Sequence, residues 1–136
     1  SEWMQASYET NNKYPEQKIL KSCSGHMVRS KSEMMIDSSL YIHKIPFRYE
    51  DTLALDDIIL YPDFTIRHPK TGEYFYWEHF GLMDDPVYCK NTFSKLQLYT
   101  TNNIVPDINL ITTYETRERP LSMEKIERII TEYFIE

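Results

Sequence analysis

Two acids sit among the apolar residues of two strand-like runs of this chain. In "YPDFTIRHPKTGEYFYWEHFG", residues 61–81, Asp63 follows Pro62 in one run of β-branched and aromatic residues, and Glu78 follows Trp77 in the next. Between them, Pro69-Lys70-Thr71-Gly72 places proline where a fixed φ helps and glycine where φ must be positive. A four-residue loop closed by His68 and Glu73 sets a register. Counting back, Thr65 lies opposite Tyr76, Asp63 opposite Glu78 and Tyr61 opposite Phe80. Opposed Cβ atoms are roughly 4.5–5.5 Å apart, so the two carboxylates face each other on one side of the sheet. Like charges so placed destabilise a strand pair, and ionised carboxylates resist burial unless paired. A hard divalent cation between them reverses that balance, and an all-oxygen site suits Mg²⁺ or Mn²⁺. Such an ion positions a phosphate and stabilises charge on a leaving oxygen, so phosphodiester hydrolysis is the reaction class the pair suggests.

The elements that must carry these residues are read from periodicity and breakers. Residues 1–27 are polar and irregular, broken by Asn11-Asn12, Pro15 and "SCSG", and read as an arm or partial helix. From Val28 to about His43, Val28, Met35, Ile36 and Leu40 fall at helical spacing with Ser32 and Ser39 as small fillers, and Pro46 closes the element. "FRYEDTLAL" reads as a strand ending at Asp56-Asp57, and "IILYPDFTI" with "EYFYWEHFG" as the hairpin. Asp84 or Asp85 caps a helix with Pro86 at its first position, Phe93 and Leu96 mark its apolar face, and Asn102-Asn103 stops it. "INLITTYE" reads as a central or next-to-central strand, Arg117 to Pro120 as a turn. "SMEKIERIITEYFI" reads as an amphipathic closing helix with Ile126, Ile129, Ile130 and Tyr133 on one face. The order is helix, three strands, helix, strand, helix, an α/β domain with a mixed sheet of four to five strands flanked by helices.

Composition sets the outer limits. At 136 residues the chain is the size of one domain, and 41% hydrophobic with 26% charged residues is ordinary for a globular fold. No apolar run approaches the ~20 residues that span a bilayer, and no signal-peptide pattern is present. Two distant cysteines, Cys23 and Cys89, read as reduced thiols in a cytoplasmic protein. A net charge of −6 argues against non-specific coating of nucleic acid, although a carboxylate site counts as acidic until its ions bind. Nothing calls for an organic cofactor.

With these residues in place, "VRSKSE" on a helix, "YPDF" on a strand and "YWEHFG" on the next resemble the PD-(D/E)XK nuclease superfamily. Within it the chain is similar to small bacterial proteins with an R-S-K-S-E helix and a W-E-H-x-G strand. The resemblance covers roughly residues 28–135 and implies a restriction-endonuclease-like core of αβββαβ order over 28–136. By carry-over it makes Asp63 and Glu78 metal ligands, adds Glu33 from the helix, and adds the backbone carbonyl of His79. It implies a Mg²⁺- or Mn²⁺-dependent DNA endonuclease, acting in repair, recombination or defence. The superfamily's lysine, two residues after the second acid, is here Phe80. In some branches that role migrates to the following helix, which makes Lys95 the candidate, Lys90 a weaker one, and Gln97 and Tyr99 neighbours in a site-lining turn.

Other residues carry competing readings. Arg29, Ser30 and Lys31 at a helix start could contact phosphates or form a solvated, capped turn. Glu33 could simply favour the helix dipole. His79 alternates to the face opposite Glu78, beside Trp77 and Phe75, and reads as a packed or hydrogen-bonded histidine. A zinc site from Cys23, His26, Cys89 and His79 lacks the spacing of known knuckles. The alternative to an enzyme is a degraded nuclease-fold module that binds nucleic acid or protein without cleaving, and a weaker one is a small-molecule phosphatase. Cutting both strands of a duplex calls for a homodimer or two binding events.

Overall fold

The Pro69–Gly72 loop closes as its residues require. In the computed structural model, which describes all 136 residues, the His68 N–H donates to the Glu73 carbonyl at 2.8 Å and Gly72 takes φ +74°. The elements in chain order are α1 (Glu2–Gln5), a 3₁₀ turn (Pro15–Gln17), β1 (Leu20–Lys21), β2 (Met27–Val28), α2 (Lys31–Ile42), β3 (Phe47–Tyr49), β4 (Leu53–Leu55), β5 (Ile58–Leu60), β6 (Phe64–Arg67), β7 (Tyr74–Phe80), α3 (Pro86–Thr101), β8 (Leu110–Tyr114) and α4 (Met123–Ile130), followed by a π turn (Thr131–Ile135). The main sheet has four strands in the order β3-β6-β7-β8, with β7 and β8 parallel and the other pairs antiparallel. The chain is an α/β fold with a mixed sheet.

Thr65 pairs with Tyr76 and Phe64 with Trp77, as the loop length requires. The β6–β7 ladder ends at the Phe64–Trp77 pair; counted on from there, the same register would set Asp63 against Glu78 and Pro62, which has no N–H to give, against His79.

Alternation divides β7 between two environments. Trp77 and Phe75 face α2 and α4 in a core with Ile36, Leu40, Phe64, Ile66, Ile126, Ile130 and Phe134. Tyr76 faces α3, where Tyr99, Leu55, Ile104 and Leu110 make a smaller cluster. Trp77 is fully buried and donates its indole N–H to Thr113 Oγ1 at 3.1 Å, which satisfies the polar end of a large ring. Glu78 follows on the α3 side.

Three expectations change and one is narrowed. Val28 lies on β2 rather than in the first helix, because Ser30 in extended conformation caps α2 by accepting the Glu33 N–H. The continuous strands expected over "FRYEDTLAL" and "IILYPDFTI" are each split. Glu50 breaks the first with φ +52°, the β6 ladder begins only at Phe64 in the second, and the pieces between form the β4–β5 hairpin. Of the two positions expected for β8, central or next to central, the structure shows the second: it is the edge strand beside β7, and its buried residues are covered by the helices on its faces rather than by a further strand. Phe93 is 60% exposed, because the inward stripe of α3 runs through Tyr88, Thr92, Lys95 and Tyr99 instead.

Residues 1–27 are an ordered arm. Ser22 and Ser24 hydroxyls donate to Asp37 Oδ1 at 2.5 Å each, and the His26 Nδ1 lies 2.8 Å from Oδ2, which staples the 22–26 loop to α2. Upstream, the Arg48 guanidinium is sandwiched 4.6 Å from the Trp3 ring and 4.9 Å from the Tyr8 ring. No helix is long and apolar enough to cross a membrane.

Candidate active site

Where the β6 ladder ends, a cleft of about 310 Å³ opens between the start of α2 and α3. Its floor is Asp63, Glu78 and the His79 strand segment, its α2 wall is Glu33, and its α3 wall is Tyr88, Asn91, Thr92 and Lys95. The α3 residues recur at helical spacing, so one stripe of one helix supplies that whole wall. Helix α3 is aimed by its own start: Asp85 accepts the Val87 and Tyr88 amides, and Pro86 occupies the first turn. A broader depression of about 740 Å³ nearby holds Asp84, Asp85, Glu115 and Arg117 but none of this constellation.

Each carboxylate of the cleft has one oxygen tethered and one without a protein partner. Asp63 Oδ2 accepts the His79 N–H at 2.7 Å. Glu78, only 2% exposed, accepts the Tyr99 hydroxyl at 2.7 Å on Oε2, and the Lys95 ammonium lies 2.5 Å from that same oxygen. Glu33 Oε1 accepts the Tyr49 hydroxyl at 2.6 Å and the Arg29 amide at 3.2 Å. Asp63 Oδ1, Glu78 Oε1 and Glu33 Oε2 make no hydrogen bond or ion pair. The His79 carbonyl likewise receives no donor from Pro62. These are hard oxygen donors held from behind with their free sides toward a cleft, and in chemical kind they fit a Mg²⁺ or Mn²⁺ ion. As the side chains stand, no three His, Cys, Asp or Glu groups are arranged to hold one metal ion. Glu33 therefore lines the cleft without closing a three-carboxylate cluster, and the zinc arrangement does not form.

The electrostatics follow from this crowding. Burial pushes the Asp63 carboxyl well above the usual carboxylate range, and the Glu78 and Glu33 charges add to the effect beyond what Lys95 and the His79 amide relieve. Burial also raises Glu33, against its bonds from Tyr49 and Arg29. Burial works against the Lys95 ammonium, but the Glu78 and Asp63 carboxylates outweigh it and hold its pKa above the ordinary lysine value. Lys95 is thus a fixed positive charge, with a side chain 32% exposed at the cleft.

The structure brings Asp63, Glu78, Glu33, Lys95 and the His79 backbone together. Lys95 reaches the cleft from α3, whereas Phe80 is buried and stacks on Tyr114 at 5.5 Å. Lys90 is exposed outside the cleft. The His79 imidazole is on the opposite face, bonded to Thr113 at 2.8 Å and Glu115 at 2.6 Å, and burial lowers its pKa.

Among the residues expected to touch nucleic acid, Arg29 is engaged internally: its guanidinium bonds Glu50 twice and the Tyr14 and Lys13 carbonyls. Ser30 is spent as the α2 cap, and Lys31 is exposed. Gln97 is exposed on the far side of α3, and Tyr99 is fully buried beneath Glu78 rather than lining a surface. Sequence reasoning missed Tyr49 and Tyr88. Tyr88 was available from Lys95 by stepping back seven residues along α3; nothing local marks Tyr49. Comparisons of the chain with protein-family models, curated proteins and solved structures find no match.

Proposed function

We propose that this protein is a divalent-metal-dependent endonuclease that hydrolyses phosphodiester bonds of DNA on a restriction-endonuclease-like core. The observation that carries the reading is the convergence in one cleft of two carboxylates, Asp63 just before β6 and Glu78 on β7, with a helix lysine whose ammonium lies 2.5 Å from Glu78. Asp63, Glu78 and the His79 carbonyl would hold the ion, with Glu33 adjacent, and the ion supplies Lewis-acid polarisation of a phosphate oxygen when bound. Tyr99 and the His79 N–H orient the two carboxylates so that their free oxygens stay toward the cleft. Lys95, being charged, acts as a donor: it steadies negative charge on the phosphate and orients the attacking water, and does not take a proton. Incubation of the protein with DNA and Mg²⁺ or Mn²⁺ tests this: cleavage by the wild type and none by Asp63→Ala is the expected result, and undiminished cleavage by Asp63→Ala sinks it.

A second reading, a fold that binds without cleaving, draws support from the lack of a ready three-carboxylate cluster. It requires that calorimetry detect no Mn²⁺ binding and that no DNA or RNA form be cut.

A further inference from the structure

Glu50 lies at the junction of the site and the N-terminal arm, and its backbone is unusual. The β3–β6 register that pairs Tyr49 with Phe64 sets Glu50 directly across from Asp63, and the Glu50 N–H donates to the Asp63 carbonyl at 2.9 Å. Continued as an ordinary strand, residue 50 would share the face of Asp63 and add a third carboxylate to the row with Glu78. Instead Glu50 takes φ +52°, a left-handed conformation that costs a branched-at-Cβ-free but non-glycine residue free energy and persists only when its surroundings hold it. The turn sends the carboxylate away from the cleft, whose lining it does not join, and into a clamp of two cations.

That clamp is nearly closed to solvent. Glu50 Oε2 accepts Arg29 Nε at 2.7 Å, and Oε1 lies 3.2 Å from both Arg29 Nη2 and Lys18 Nζ. The same two cations hold the arm. Lys18 Nζ donates to the Asn11 carbonyl at 2.9 Å, and Arg29 donates to the Lys13 and Tyr14 carbonyls at 2.7 Å each. The Asn11 N–H donates to the Glu50 carbonyl at 3.3 Å, closing the ring. Through its own amide Arg29 also bonds Glu33 Oε1. Glu50 therefore joins the arm at residues 11–18 to Asp63 through its own backbone amide and to Glu33 through Arg29.

We propose that Glu50 is a positioning residue of the site: its backbone fixes Asp63, and its charge, through Arg29 and Lys18, locks the arm against the metal-facing acids. The proposal rests on the divalent-ion reading above. It gives the positive φ a purpose, since the turned carboxylate adds no further acid to the row of Asp63 and Glu78. It also explains why Arg29 is not free for phosphate.

The test uses the full chain as wild type, Glu50→Gln and Lys18→Met. Two readouts are followed at a temperature where circular dichroism shows each variant folded: Mn²⁺ affinity by calorimetry and the rate of tryptic cleavage after Lys13. Both variants are expected to be cut faster at Lys13, and Glu50→Gln to bind Mn²⁺ about 10-fold more weakly, the usual scale for losing an outer partner of a metal ligand. Should Glu50→Gln fail to fold, with two cations left unpaired, Lys18→Met decides, since it spares the Arg29–Glu50 pair; a few-fold loss of Mn²⁺ affinity supports the proposal. Faster cleavage with unchanged Mn²⁺ affinity overturns the positioning role and leaves a purely structural clamp. Unchanged cleavage overturns the arm lock. If the wild type binds no Mn²⁺, the metal reading fails and takes the positioning role with it, while the Lys13 cleavage rates still report on the clamp by themselves.

Discussion

In Asp63→Asn the shape of the side chain is kept and its charge is removed. The amide oxygen can still accept the His79 N–H that Oδ2 accepts at 2.7 Å. What disappears is a carboxylate whose ionisation the folded chain resists, because burial and then Glu78 and Glu33 push its pKa well up. If the two charges are taken to be as far apart as opposed Cβ atoms, about 5 Å, an effective dielectric of about 20 makes the repulsion between Asp63 and Glu78 roughly 3 kcal/mol. The Lys95 ammonium at 2.5 Å from Glu78 offsets part of this, so the net gain from neutralising Asp63 is set at about 1–2 kcal/mol. For a domain of this size that is a rise in Tm of ~3–8 °C. The sign follows from linkage. The folded state holds the Asp63 proton more tightly than the unfolded chain does, so its ionisation subtracts stability from the ion-free protein as pH rises above the ordinary carboxylate range. Thermal melts at neutral pH in a chelator measure the effect directly. Added Mn²⁺ should then raise the Tm of the wild type but not of Asp63→Asn, because only the wild type keeps the ligand. A lower Tm for Asp63→Asn in the chelator would refute the reasoning, since it would make Asp63 a stabilising residue rather than a strained one.

Further expectations concern the groups around it. Lys95→Met should abolish cleavage and lower ion-free stability by about 2–3 kcal/mol by leaving Glu78 unpaired, while Mn²⁺ binds more tightly for want of a competing ammonium; calorimetry and chemical denaturation check both. Tyr99→Phe removes the hydroxyl bonded to buried Glu78 and should cost about 1–3 kcal/mol, read from urea midpoints, with a parallel loss of Mn²⁺ affinity. Burial opposes the Glu115 charge, but bonds from Ser32, His79 and the Leu121 amide outweigh it and hold its pKa below the usual glutamate value. Its contribution is therefore complete above the ordinary carboxylate range and lost as pH falls below it, so the Tm gap between wild type and Glu115→Gln should narrow on acidification.

The hairpin was legible because its information is local. Pro69 and Gly72 define the loop, the loop length defines the register, and the register, counted on past Phe64, sets Asp63 against Glu78 without help from the rest of the chain. The capped start of α3 was equally plain in Asp85-Pro86, and Lys95, the candidate named on that helix from a resemblance, does line the cleft. The breaks were harder. Glu50 reads as one more polar residue in an extended run, and nothing nearby in sequence shows that Arg29 and Lys18 will turn it out of the strand. Val28 continued the helical spacing by coincidence of one apolar residue, and the Ser30 cap overrode it. The arm was read as irregular because its order depends on distant partners: Asp37 for the 22–26 loop, Arg48 for Trp3 and Tyr8. Arg29 and Tyr99 were expected at a surface from residue type and motif position, and tertiary packing put both to internal use. The place of β8 stayed open between central and next to central because buried residues on a strand do not reveal whether the cover is another strand or a helix.

The proposal that Asp63 and Glu78 form one metal-dependent hydrolytic site with Lys95 can be tested on DNA itself. The most direct measurement is a parallel digestion of linear, nicked, branched and single-stranded DNA by wild type and Asp63→Asn, with Mg²⁺, with Mn²⁺ and with chelator. The expected result is cleavage of at least one substrate by the wild type in either ion, none in chelator and none by Asp63→Asn under any condition. Cleavage that survives in Asp63→Asn, or a wild type that cuts nothing in either ion, would contradict it.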